Sequence, residues 1–276
     1  MLSTVRRLAA HVGGRTVRRA GNLRHSHAPC PVDPALSTLE DTVSDDVALE
    51  GFHAVKHALR FGAPVRELVT TDAAAVEALR RELAPDLDLA GAGLREVDAA
   101  TWQDLVGRDL PSPLHGWTAR PDVTLAAVIG GEGPVVLLEQ PRHLGNLGAV
   151  VRVAAAAGAA GVLTTGDADP WHPMAVRAAA GLHLALPVLR VELADALAAA
   201  HAAGRAVIAV DGDGDPLHAA PLPADALLLL GTERHGLSEA ASADADRTVA
   251  IEMRPGVSSL NLATAAAVVL YAPRAR

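Results

Sequence analysis

A single cysteine, Cys30, stands in a chain of 276 residues, so no internal disulfide can staple the fold. Aromatic residues are nearly as scarce, at 2% against 50% hydrophobic residues in all, which leaves Ala, Val and Leu to fill the core. No apolar run reaches the roughly 18 residues that a membrane span needs. The longest candidates, 226–230 and 262–272, are too short. Residues 1–30 contain no apolar segment of the secretory type. These absences lead to the expectation of a cytoplasmic protein with no membrane partner. The length allows two ordinary domains.

Charge is in deficit too, with 24 basic residues against 32 acidic ones and a net −8, a balance that does not advertise nucleic-acid binding. The distribution is uneven. Residues 1–30 hold Arg6, Arg7, Arg15, Arg18, Arg19 and Arg24 and no acidic residue. Removing those six leaves 18 basic residues against 32 acidic ones elsewhere, or −14. The basic arm admits three readings: a disordered extension, an RNA-contacting tail, or an organelle transit peptide. "HSHAPC" at 25–30 lacks the second ligand pair a zinc site requires, and no metal is expected.

Along the chain, 1–45 lacks periodicity and reads as a loosely attached arm. Residues 46–122 alternate as a small α/β domain. "LEGFHAVKHALRFG" reads as a helix, "PVRELVT" as a strand and "DAAAVEALRREL" as a helix capped by Asp72. "GLREVD" is a further strand, "DAATWQDLVG" a short helix capped by Asp98, and a last strand follows "PSPLHGWTARP". Residues 123–133, ending in "GGEGP", read as a linker. From 134 to 276 a second series begins, with strands "VVLLE", "GVLTT", "LPVLRV", "AVIAV", "ALLLLG" and "TVAIE". These are apolar throughout, as strands of a parallel sheet covered on both faces should be. Helices are expected at about 146–158, 173–182, 193–203, 237–243 and 259–272, which makes a doubly wound sheet. "DGDGDP" at 211–216 resembles the start of a calcium loop, but the twelfth position is Leu222 rather than Glu, so it reads as a turn.

Ligands of open α/β sheets bind beyond the carboxyl ends of the strands, which directs attention to three turns. The first, "VVLLEQPRHLGNLGAVVRV", has no G-x-G-x-x-G. It offers Asn146 and Gly148 at a helix start and Arg152 further along an otherwise Val/Ala/Gly helix. A lone charge there is either paired and useful or reaches solvent from the helix edge. The second, "LLLLGTERHGLSEAA", turns at Gly231, carries Glu233, Arg234 and His235, and closes at Gly236 before a helix capped by Ser238. The third, "IEMRPGVSSLNLATAA", places Ser258 or Ser259 as a helix cap and Asn261 in the first turn.

These three turns resemble the three motifs of the SpoU, or TrmH-like, RNA ribose 2′-O-methyltransferases. Asn146 and Arg152 fall on the Asn and Arg of the first motif, Gly231, Glu233 and Gly236 on the second, and Ser259, Leu260 and Asn261 on the third. "DPWHPMAVRAAAGLHLALPV" looks like the family's Pro-x-x-x-Arg-Ala segment. The resemblance covers roughly 134–273. More loosely, 47–120, with "EGFHAV" and "HGW", resembles the ribosomal-protein-like RNA-binding domain that often precedes this catalytic domain. Glu252 departs from a usual Pro, Ala179 from a frequent Ser, and Leu262-Ala263-Thr264 from a more usual Val-Ser-Val.

The resemblance implies a trefoil-knotted parallel sheet, the SPOUT fold, binding S-adenosylmethionine beside Gly231, Ile251 and Leu260. It implies a homodimer whose site is completed across the interface. The implied reaction is attack of a ribose 2′-hydroxyl on the methyl sulfonium, assigned to Arg152, with Asn146, Glu233, Ser259 and Asn261 in support. A local basic surface around Arg142, His143, Arg152 and Arg177, helped by Arg66 and Arg95, is expected to meet RNA. Arginine is an uncomfortable base, since as a residue type it keeps its proton, so an orienting and oxyanion-stabilising role stands beside the base role. The implied substrate is 23S ribosomal RNA, with transfer RNA as the alternative. Two other classes remain: a catalytically silent RNA-binding assembly factor of the same fold, and a different α/β nucleotide enzyme.

Overall fold

The computed structural model describes residues 46–232 and 236–275. The arm 1–45, including "HSHAPC", and Glu233, Arg234 and His235 lie outside the described residues. Within them, two sheets follow one another along the chain.

The first sheet is built from β1 (Asp46–Glu50), β2 (Val65–Thr70), β3 (Leu94–Glu96) and β4 (Leu114–Ala119), in the order β1-β4-β2-β3. Only the β2–β3 pairing is parallel. Between the strands run α1 (Phe52–Arg60), α2 (Ala73–Leu83) and α3 (Ala99–Val106). Asp72 and Asp98 cap α2 and α3 as expected, accepting from Ala75 N and Thr101 N. Leu49 and Glu50, read above as the start of a helix, instead end β1. The alternation of buried Val47 and Leu49 with less buried neighbours has the period of a strand, and Gly51, at φ 83°, makes the turn into α1.

The segment 123–133 carries a helix of its own, α4 (Leu125–Ile129), capped by Thr124 and burying Val128 and Ile129. A buried arginine ties down its end. Arg205 Nε donates to Ile129 O at 2.6 Å, Nη1 to Gly133 O at 2.8 Å and to Asp225 O, and Nη2 to Gly131 O. One guanidinium thus satisfies four carbonyls in a dry setting and fixes the entry to the second sheet.

That sheet is wholly parallel: β5 (Val135–Leu138), β6 (Gly161–Thr164), β7 (Val188–Arg190), β8 (Val207–Pro216), β9 (Leu227–Leu230) and β10 (Arg247–Ala250), ordered β10-β8-β9-β5-β6-β7. Its helices are α5 (Leu144–Ala156), α6 (Pro173–Ala178), α7 (Leu193–Ala202), α8 (Glu239–Ala243) and α9 (Leu262–Leu270). β5, β6 and β9 are buried at every position, so their unbroken Val/Leu runs follow from being covered on both faces. α5 packs on α6 with no room to spare: a Cβ at Gly148 would stand 2.2 Å from Ala175 O. None of the described helices is long and apolar enough to cross a membrane.

Two further elements differ from expectation. The helix expected over 173–182 ends at Ala178, because Ala180 and Gly181 both take positive φ. "DGDGDP" is not a separate turn but the continuation of β8. The positive-φ corner has a use: His57 Nδ1, on α1, donates to Ala180 O at 2.6 Å, and Gly181 packs so tightly on Ala54 that a Cβ would lie 2.7 Å from Ala54 O. Arg177 adds an ion pair to Glu50 at 2.6 Å, and Arg108 also pairs with Glu50. These contacts fix α1 against the second sheet.

Replacing Arg205 with Met keeps side-chain length but removes every donor. We expect a loss of at least about 3 kcal/mol, since each buried acceptor left unsatisfied costs about 1–3 kcal/mol. Urea unfolding of the two proteins at one pH measures it; a difference under about 1 kcal/mol would contradict the role assigned to Arg205.

Candidate active site

The middle of β8 and the carboxyl ends of β9 and β10 border a cavity of about 370 Å³. Its wall is made by Val210, Asp211 and Gly212 from β8, Leu230, Gly231, Thr232 and Gly236 around the β9 turn, Ile251 and Met253 beyond β10, Ser258–Leu260, and Leu262 and Ala265 of α9. Gly231, Ile251, Leu260 and Ser259, named from sequence, therefore come together in one place.

The glycine at 231 is dictated by its surroundings. A Cβ there would stand 2.1 Å from the backbone carbon of Gly236 and 2.3 Å from Leu237 N. The chain folds back on itself because Thr232 N donates to Gly236 O at 2.9 Å and Gly236 N to Thr232 O at 3.0 Å. Gly236, at φ 65°, supplies the left-handed residue this closure needs. Buried Glu139, at the end of β5, holds the far side of the turn by accepting from Ser238 N at 2.7 Å. Glu233 lies outside the described residues.

The third turn differs from expectation in its cap. Asn261, not Ser258 or Ser259, is the N-cap of α9: its Oδ1 accepts from Ala263 N at 2.9 Å and Thr264 N at 3.4 Å, and its ψ of 141° is not helical. Capping leaves the amide nitrogen free to donate to Asn146 Oδ1 at 3.0 Å. The Asn of the first turn and the Asn of the third are thus joined across 115 residues of chain. The two serines are left exposed on the cavity wall.

Arg152 lies on α5, two turns beyond Asn146, and is exposed. Among the described residues it has no ion pair or hydrogen bond. It faces α1: burial first, then the charges of Lys56 and Arg152, lowers the pKa of His53, and burial, Arg60 and Arg152 lower that of Lys56. Arg142 and His143 are exposed at the start of α5. Arg177, expected to meet RNA, is instead committed to the nearly buried carboxylate of Glu50. Arg66 and Arg95 likewise pair with Asp46 and Glu67. Glu252, the departure from Pro, is exposed and pairs with His218 at 2.9 Å. Among the described residues no group of His, Cys, Asp or Glu is placed to hold a metal ion.

Two residues of the site escaped the sequence reading. Glu139 looked like an ordinary strand end, and only its burial against the α8 start reveals its role. Asp211 was in view within "DGDGDP", but its path to the cavity depends on how β8 pairs with β10.

Residues 133–271 match the SpoU rRNA methylase family. The chain is 39% identical over 144 residues to the 23S rRNA (uridine(2479)-2′-O)-methyltransferase of Streptomyces viridochromogenes, covering 49% of this chain and 50%, or half, of that relative. It is 27% identical over 236 residues to the 23S rRNA (guanosine(2553)-2′-O)-methyltransferase RlmP of Bacillus subtilis, covering 84% of this chain and 90% of the relative. The crystal structure of the SpoU methyltransferase AviRb from Streptomyces viridochromogenes, in complex with the cofactor AdoMet, superposes with a TM-score of 0.67 at 29% identity, covering 83% of this chain and 89% of that one.

Asn261→Ala removes a helix cap worth about 1 kcal/mol, together with the bond to Asn146. A scanning-calorimetry Tm about 2–4 °C lower is expected for a unit of this size. An unchanged Tm would mean that the α9 cap is dispensable.

Proposed function

Since the chain belongs to the SpoU rRNA methylase family, we propose that it is an S-adenosylmethionine-dependent RNA ribose 2′-O-methyltransferase acting on 23S ribosomal RNA. The observation that carries this reading is the convergence of Gly231, Ile251, Ser259 and Leu260 on one cavity, with the Asn146–Asn261 bond tying that cavity to the helix bearing Arg152. Named 23S rRNA 2′-O-methyltransferases among the relatives support the substrate.

The cavity fits the cofactor. Its volume falls in the range of small-molecule sites, about 300–1,000 Å³. Gly231 brings main chain to its wall where any side chain would collide, so backbone donors and acceptors beside Gly231, Ile251 and Leu260 would read the adenine edge. Apolar Leu230, Ile251, Leu260 and Leu262 give the base a surface on which to lie. When bound, the cofactor supplies an activated methyl group on a sulfonium, so no metal is required.

The chain's own residues then have to deliver the ribose. Arg142 and His143 present positive or hydrogen-bonding groups at the start of α5, beside the amide nitrogens of a helix start, a setting suited to phosphate. Arg152 would orient the 2′-hydroxyl and stabilise negative charge as it develops on that oxygen. Its planar fork can hold a phosphate and the hydroxyl together, which a lysine cannot do. Ser259 and the Asn146–Asn261 pair position this constellation.

A homodimer and a trefoil knot belong to the same proposal. Exposed Val268 on α9 and Tyr271 just beyond its end, with exposed Leu260 before it, favour burial against a second copy. The turn after β10 returning against the turn after β9, around one cavity, favours the knot. Equilibrium sedimentation at micromolar concentration is expected to give twice the 28.3 kDa chain mass; a fully active monomer would contradict the dimer.

Arg152→Ala is expected to lower single-turnover methylation of 23S rRNA about 10²–10⁴-fold while leaving S-adenosylmethionine affinity within about twofold. Mapping ribose methylation in total RNA with and without the gene identifies the nucleotide. Methylation lost only from transfer RNA would replace the substrate, and near-normal turnover by a folded Arg152→Ala protein would overturn the mechanism.

A further inference from the structure

β8 does not pair with β10 continuously. Ile208 and Ala209 lie opposite Arg247 and Thr248, but the next partners of Val249 and Ala250 are Asp215 and Pro216. Residues 210–214 therefore leave that ladder and return to it. Gly214 makes the return possible: a Cβ there would stand 2.7 Å from the backbone of Thr248 and Val249. The excursion carries Asp211 and Gly212 to the wall of the cavity.

Asp211 is the one ionisable side chain among the described residues of that wall. It is half-buried. Its Oδ1 accepts from Asp213 N at 3.3 Å, and its Oδ2 lies 3.2 Å from where a Cβ on Gly236 would be. The carboxylate thus fills the gap between the β8 excursion and the β9 turn. Among the described residues no cation pairs with it. In a cavity of about 370 Å³ a charge held against the wall lies close enough to this carboxylate to interact with it.

We propose that Asp211 is a specificity residue of the cofactor site, favouring the cationic sulfonium of S-adenosylmethionine over the neutral thioether of S-adenosylhomocysteine. The proposal rests on the methyltransferase reading of the cavity. The two molecules differ by one methyl group and one positive charge, and a mostly apolar wall with main-chain donors holds both about equally. A fixed carboxylate responds to the charge alone. It therefore tightens the hold on the donor and relaxes it on the spent form, which favours exchange after each turnover.

The test is calorimetric titration of the full chain with S-adenosylmethionine, with S-adenosylhomocysteine, and with an unreactive analogue bearing a protonated amine in place of the sulfonium. Asp211→Asn keeps the side chain's shape and removes its charge; Asp211→Glu keeps the charge. In Asp211→Asn the affinity ratio of S-adenosylmethionine to S-adenosylhomocysteine is expected to fall about tenfold, with S-adenosylhomocysteine changing less than about twofold. The amine analogue should follow S-adenosylmethionine, and Asp211→Glu should retain most of the wild-type ratio. Equal losses for all three ligands would overturn the proposal, because they would make Asp211 a contact to a shared part such as the ribose hydroxyls. An unchanged ratio in Asp211→Asn would also overturn it. Failure of the wild-type protein to bind any of the three would overturn the methyltransferase reading along with it.

Discussion

The site depends on how closely the chain passes itself at Gly231. Four buried leucines bring β9 to the carboxyl edge of the sheet, and the backbone then turns within 2.1 Å of the space a side chain at Gly231 would need. The two reciprocal bonds between Thr232 and Gly236 hold that fold-back shut. A larger residue would push Gly236 and Leu237 outward and open the wall they form. With the wall closed, the excursion within β8 and the turn after β10 have a rigid edge to complete, and Glu139 braces it from β5 through Ser238 N.

Charge is sorted around this wall by sign. Asp211 faces the cavity, while Arg142, His143 and Arg152 sit on α5 among exposed residues. The acidic chain therefore need not repel a polyanion everywhere: its positive groups are held where a phosphate backbone could approach, and several other arginines are neutralised by carboxylates. Glu50 shows the economy of the arrangement. Its nearly buried carboxylate takes both Arg108 and Arg177 and so contributes to docking the first sheet, whose helix α1 brings His53 and Lys56 toward Arg152. Position relative to α1 thus separates Arg152, left without an ion-pair partner among the described residues, from Arg177, which is spent on structure.

Much of this was legible without coordinates. Unbroken Val/Leu runs at β5, β6 and β9 could only be strands covered on both faces, and Asp72, Asp98 and Ser238 announced their helices through capping chemistry that acts within three residues. The second and third turns were legible because glycine at 231 and 236 and asparagine at 261 are residue types that such close turns and caps require. Where the reading failed, the deciding contact was distant in sequence. Ser258, Ser259 and Asn261 are all competent caps by residue type; Asn261 takes the role through Ala263 N and Thr264 N, and its amide nitrogen then finds Asn146, 115 residues away. "DGDGDP" has the composition of a turn, yet parallel pairing with β10, more than 30 residues away, makes it part of a strand.

Sequence alone thus determined the α/β class, the order of most elements and the positions of the three turns, because periodicity, capping and glycine geometry are local properties. Tertiary structure alone decided that Asn261 joins Asn146, that Arg177 belongs to Glu50, that Arg205 closes the entry to the second sheet, and that Asp211 reaches the cavity. Each of these is a polar group whose partner lies far along the chain. A polar side chain announces in sequence only that it needs a partner, and which partner it finds is settled when the sheets pack.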